Sequence, residues 1–164
     1  MSPAAEELLQ KLKATIGQEE VFTAPEAMGP AAFRQYALAV QDPNPIYTDR
    51  SQARHHGFKD LVAPTTLICD SIQFLEGDMD EAGLPQSPSA ECLPTPLRAG
   101  NDYEFFQPVY PDDKIILRRR VTEVWDREGR SGLLIFQKME NTYYNQHGQK
   151  LAINTELLFY RPGP

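Results

Sequence analysis

At 164 residues with a formal net charge of −7, the chain is sized for one globular domain with one core, and it lacks the basic surface that a nucleic-acid partner requires. A hydrophobic content of 41% and a charged content of 24% are those of an ordinary folded chain and exclude extended disorder. No apolar run approaches the roughly 20 residues that span a bilayer, and the opening MSPAAEELLQKLKATIG is amphipathic rather than signal-peptide-like, so a cytoplasmic location is expected.

Residues 3–16 read as a leading amphipathic helix within 1–17, because Leu8, Leu9, Leu12 and Ile16 recur at helical spacing among Glu and Lys. A short strand is expected at Val21–Thr23. The stretch GPAAFRQYALAVQ begins a second helix at Pro30, with Phe33, Tyr36, Ala37 and Val40 as its apolar face, and DPNP must end it. Asp49 is placed to cap a short helix RSQARHH that Gly57 closes. His55 and His56 on it are expected to face solvent.

The most apolar helix is expected from Thr65 or Thr66, as cap, through Leu67, Ile68, Ile72 and Phe74 or Leu75 to Gly77. An acidic and then Pro/Ser-rich segment, 77–97, lacks periodicity and reads as a surface loop beside an entrance. Beyond it, AGNDYEFFQPVY, KIILRRRVTEVWDR, GLLIFQKMENTYYNQ and KLAINTELLFYR are rich in β-branched and aromatic residues. They read as four strands joined by hairpin turns at PDD, REGRSG and HGQ. Helices followed by antiparallel strands predict an α+β domain over 1–164, with a sheet wrapped around one buried helix. A long edge strand and one open sheet face predict association with another subunit. Cys69 and Cys92 lack metal-ligand or redox spacing and read as reduced structural thiols, and no metal or redox cofactor is indicated.

The loop YALAVQDPNPIYTDRSQARHHGFKDLVAPTTL resembles the MaoC-like family of R-specific enoyl-CoA hydratases and hydroxyacyl dehydratases, in which it reads D-x-N-P-x-H-x-D followed by A-x-x-x-G-F-x-x-x-I-A. NDYEFFQPVYPDDKI is similar to that family's F-x-x-P-V-x-x-G-D segment. The tyrosine and the AP of LVAPTT are closer to the N-terminal MaoC-like dehydratase domains, often one half of a double-hotdog or heteromeric enzyme. The resemblance implies a hotdog fold and an acyl-CoA or acyl-carrier-protein thioester as ligand. By position it implies that Asp42 holds a water, that Tyr47 stands where the family has a histidine, and that a backbone N–H near Thr65 or Thr66 polarises the thioester carbonyl.

Hydrating a trans-2-enoyl thioester requires activating a water at C3, delivering a proton to C2 and stabilising the developing enolate. Helix N-terminal N–H groups suit the last task. A phenol, with an ordinary pKa near 10 against about 6.5 for imidazole, is a donor and a poor base at neutral pH. The dyad is therefore incomplete, and the reading favoured is an acyl-thioester-binding subunit whose chemistry comes from a partner with the intact Asp/His loop. A self-sufficient homodimeric hydratase using Asp42 and Tyr47 is one alternative. A noncatalytic acyl-binding module, or a thioesterase using Asp70 or Glu76, is another. Asn44 is a candidate substrate contact, although Asp42 and Asn44 also suit a turn, and Tyr47 also suits aromatic packing. Arg118 and Arg120, with Arg98 and Lys114, are candidates for a CoA or carrier phosphate; a solvated strand face is the competing reading.

Overall fold

The computed structural model describes residues 2–70, 94–129 and 132–162. Helix α1 spans Pro3–Lys13 and starts on Ser2, whose hydroxyl accepts the Ala5 N–H at 3.3 Å. Strand β1 is Glu19–Thr23 and helix α2 is Gly29–Ala39. A 3-10 turn at Pro45–Tyr47 leads into α3, Arg50–His55. As expected, Asp49 caps α3 by accepting the Ser51 and Gln52 N–H groups, Gly57 follows at φ 87°, and His55 and His56 are exposed.

Of the expected central helix, the described part is α4, Leu67–Asp70, which buries Leu67 and Ile68. The rest of that helix, the side chains of Asp70 and Glu76, Cys92 and most of the 77–97 segment lie outside the described residues. Cys69 is half-buried and forms no disulfide among the described residues.

The remaining strands are β2 (Leu97–Phe105), β3 (Ile116–Gly129), β4 (Gly132–Tyr144) and β5 (Lys150–Tyr160). All pairs are antiparallel, in the order β1-β3-β4-β5-β2. Two of the three expected hairpins form, β3–β4 and β4–β5. The one at PDD does not: β2 pairs with β5 at the far edge, and PDD lies within a crossover to β3. β2 also ends sooner than its composition suggests, because Pro108 has no N–H to give a ladder.

One face of the sheet carries both cores, since side chains two apart on a strand share a face. Phe33 of α2, Leu67 and Ile68 pack with Leu117, Tyr143 and Ala152, while Leu8, Leu9 and Leu12 of α1 pack with Val124, Ile135 and Tyr160. The opposite face carries the stack of Trp125, Phe136 and Phe159, with ring centroids 5.3 and 6.1 Å apart.

Two local devices set the positions around the crossover and the α2 exit. Asp113 is buried and its carboxylate accepts the Tyr110 N–H at 2.8 Å and the Asn145 amide at 3.1 Å, while its carbonyl accepts the Met28 N–H. At the end of α2 the Asp42 N–H returns to the Ala37 carbonyl and the Gln41 N–H to the Leu38 carbonyl, a Schellman turn with Gln41 at φ 57°. That turn swings the chain away from the core. Val40, expected on the buried face of α2, is instead its C-cap and half-exposed.

Replacing Asp113 with Ala strands the Tyr110 N–H and leaves the Asn145 amide with Gln149 as its remaining acceptor, and the expected loss is about 1–3 kcal/mol in urea unfolding. A glycine at position 41 adopts the left-handed conformation without a Cβ penalty, so Gln41→Gly is expected to gain about 1 kcal/mol in the same measurement; a loss there would contradict the αL assignment.

Candidate functional site

The loop after α2 is held by nested side-chain turns. Asp42 Oδ1 accepts the Asn44 N–H at 3.1 Å, and Asn44 Oδ1 accepts the Ile46 N–H at 3.2 Å. Pro45 starts the 3-10 turn that presents Tyr47. The following stretch, 61–64, is pinned on both sides: the Val62 N–H binds the Ile46 carbonyl and the Ala63 N–H binds the Val109 carbonyl. Asp60 adds to this, accepting Arg50 Nε at 2.8 Å and the Leu61 N–H at 2.7 Å. These bonds hold its carboxyl below its ordinary pKa, the Leu61 N–H most strongly.

Between these segments and the sheet lies a cavity of about 320 Å³, within the range of small-molecule sites. Tyr47, Thr65 and Ile68 line one side, and Phe105, Phe106 and Ala152 the other. The lining is almost entirely apolar. Phe105 and Phe106, at the end of strand β2, remain 44% and 45% exposed, so the cavity sits against what is, among the described residues, an edge of the sheet.

The Tyr47 hydroxyl lies near the Asp42 carboxylate. Burial pushes the phenol above its ordinary pKa, and the neighbouring Asp42 carboxylate pushes it the same way. Tyr47 is thus held as a protonated phenol. Thr65, a cavity residue, has no backbone acceptor for its N–H among the described residues. Thr66 is tied to α2 by the 2.8 Å contact of its hydroxyl with Tyr36.

Of the residues singled out from the sequence, Tyr47 and Thr65 line the cavity, and Asp42 lies near Tyr47 without lining it. Asn44 is exposed and shapes the loop without lining the cavity. Arg118 and Arg120 lie elsewhere, on the sheet face opposite the helices, where they pair with Glu19 at 3.5 Å and Glu140 at 3.1 Å. Arg98 pairs with Glu156 at the other edge, so β4 and β5 separate it from β3 and no arginine cluster forms. The walls Phe58, Val62, Phe106 and Gln107 were not anticipated as site residues. The F-x-x-P-V match was the available signal for the last two.

Comparison with known proteins agrees with this fold. The family described as FAS1-like, dehydratase domain region matches residues 14–154. A UPF0336 protein of Parafrankia sp. (strain EAN1pec) is 31% identical over 111 residues, covering 66% of this chain and 70% of that protein. Among solved structures, the ChsH1–ChsH2 complex from Mycobacterium tuberculosis superposes with a TM-score of 0.73 at 15% identity, covering 97% of this chain and 92% of that chain. The HadBC (3R-hydroxyacyl-ACP dehydratase) complex from the same organism gives 0.67 at 19% identity, covering 87% and 96%. The fold is the α+β hotdog, and the chain belongs to the FAS1-like dehydratase-region family of MaoC-like hydratases and dehydratases.

Proposed function

We propose that this chain is the acyl-thioester-binding subunit of a MaoC-like enoyl-CoA hydratase or 3-hydroxyacyl dehydratase, and that a partner hotdog subunit bearing the intact Asp/His loop supplies the proton transfers. The observation that carries this reading is a tyrosine, Tyr47, lining an apolar cavity with the Asp42 carboxylate near its hydroxyl. Where the family resemblance calls for an imidazole able to take a proton near neutral pH, this chain has a phenol held protonated. The thioester carbonyl would face the Thr65 N–H, with the acyl chain along Phe105, Ile68 and Ala152. The exposed β2 edge beside the cavity suits a second subunit closing it. That two structural neighbours are themselves complexes of two kinds of subunit supports the same assembly.

The nearness of the Asp42 carboxylate to Tyr47 also favours a second reading, a self-sufficient hydratase in which Asp42 alone activates the water and Tyr47 orients it. Loss of conjugated-enoyl absorbance separates the two. The purified chain is expected to turn trans-2-enoyl thioesters over negligibly, Tyr47→His to raise the rate about 100-fold or more, and a further Asp42→Ala to remove the gain. Rapid turnover by the unmodified chain, abolished by Tyr47→Phe, would establish the second reading instead.

The electrostatic basis of the site has its own test. Forming a phenolate beside a carboxylate is opposed by like charge, so Asp42→Asn is expected to bring the Tyr47 pKa part of the way down, burial keeping the remainder. The ring carbon that bears the hydroxyl reports this by NMR as pH is raised. An unmoved titration would show that the Asp42 charge does not act on Tyr47.

A further inference from the structure

We infer that Lys59 and Lys150 form an anion site on the rim of the cavity, which takes the phosphate at the outer end of the pantetheine arm that carries the acyl thioester. The inference rests on the acyl-thioester reading above and adds the residues that hold the arm from outside.

The two lysines come from distant parts of the chain and meet at one wall. Phe106, Gln107, Pro108 and Val109 line the cavity in succession. At the start of this stretch the Lys150 ammonium stands over the Phe106 ring, 5.3 Å from its centre. Just past its end the Lys59 ammonium stands over the Tyr110 ring at 4.1 Å. Each lysine also adjoins a cavity residue in sequence, Lys59 following Phe58 and Lys150 preceding Leu151. Phe106 and Tyr110 are separated by no more than about 14 Å of chain even when it is fully extended. Both cations therefore flank the same rim.

Their charge is available to a ligand. Both lysines are exposed, and neither has a carboxylate within ion-pair distance among the described residues. Asp60, which follows Lys59, is already taken by Arg50 and the Leu61 N–H. The arginines on β2 and β3 differ in this respect, because Arg98, Arg118 and Arg120 each hold a glutamate. An aromatic face beneath an ammonium attracts it and supports the apolar stem, while the charged head stays in water. An anion reaching this rim meets positive charge that no ion pair has to release.

The cavity itself sorts the two ends of the ligand. Its lining is almost entirely apolar, so an acyl chain can enter, whereas an unpaired phosphate pays a heavy desolvation cost there. With the thioester carbonyl at the Thr65 N–H and the acyl chain along Ile68 and Ala152, the pantetheine runs outward past Phe58 and Phe106. Its phosphate then emerges on the side where Lys59 and Lys150 stand. Lysine binds phosphate as a point charge, which suits an anion on a flexible arm. Acyl-CoA and an acylated carrier protein share this phosphate, and the site recognises what they share.

The test is calorimetric titration of the full chain at low salt with saturated probes, which cannot be hydrated: S-octanoyl-pantetheine, S-octanoyl-phosphopantetheine, octanoyl-CoA and an octanoyl-loaded carrier protein. The phosphorylated arm is expected to bind about tenfold tighter than the bare one, a gain that shrinks as salt is added. Combining Lys59→Gln with Lys150→Gln is expected to remove the gain and leave the affinity for S-octanoyl-pantetheine unchanged, which a merely structural role would not do. Lys13→Gln on α1, which deletes the same charge from another surface, is expected to alter neither. Whichever of octanoyl-CoA and the loaded carrier binds tighter, with that binding weakened by the double substitution, identifies the source of the phosphate. Equal binding of the bare and phosphorylated arms, or a gain undiminished in the double variant, overturns the anion site and leaves the thioester reading intact. Failure of every probe to bind, S-octanoyl-pantetheine included, overturns both.

Discussion

The register of one cross-strand row, Leu117–Tyr143–Ala152–Phe105, is the constraint on which the rest of the molecule depends. It presents a flat apolar strip to Phe33 and Ile68 and, at its open end, the floor of the cavity. Because the side-chain period of a strand is two, a one-residue slip would turn every member to the opposite face. Full burial of groups such as Phe33, Leu117 and Ile68, each worth about 1.5–3 kcal/mol, penalises such a slip heavily. The half-exposed pairs Arg118–Glu19 and Arg120–Glu140 contribute no more than about 1 kcal/mol each. The core sets the register and the surface charges accommodate it.

The site is a secondary consequence of that packing. Tyr47 reaches the cavity because the Schellman turn at Gln41 aims Asp42 back under the loop, and because the 61–64 stretch is clamped between Ile46 and Val109. Asp113 acts from the other side, holding the crossover that carries Pro108 and Val109. Position and protonation are thus coupled. The Asp42 carboxylate that the loop sets near Tyr47 makes its proton harder to remove.

Much of this was legible from residues alone. The Asp49 cap, the Gly57 exit, the Phe33–Ala37 face and the strands β3 to β5 depend on neighbours in sequence, so local patterning reveals them. Alternation likewise separated Arg119, which turns toward Asn141, from Arg118 and Arg120. The partner of β2 was not legible. The PDD turn looks locally like a hairpin, and only Phe105 meeting Ala152 across the sheet reveals a crossover. Val40 fits a helical stripe by spacing, yet the helix has already ended there. The cavity walls were hidden for the same reason: Phe58 and Phe106 become neighbours only after the sheet has closed beside α3.

Helix α1 adds a consequence of a different kind. Its leucines rest on Val124, Ile135 and Tyr160, and this cluster shares no residue with the one that floors the cavity. Between them on the sheet lie the buried polar side chains of Asn141, Asn154 and Glu156. Cooperative units in a fold follow shared packing, so the α1 end has the makings of a separate unit in hydrogen exchange. The cavity end can stay closed while α1 lifts and returns. Variation in the leading segment can then accumulate without being felt at Tyr47.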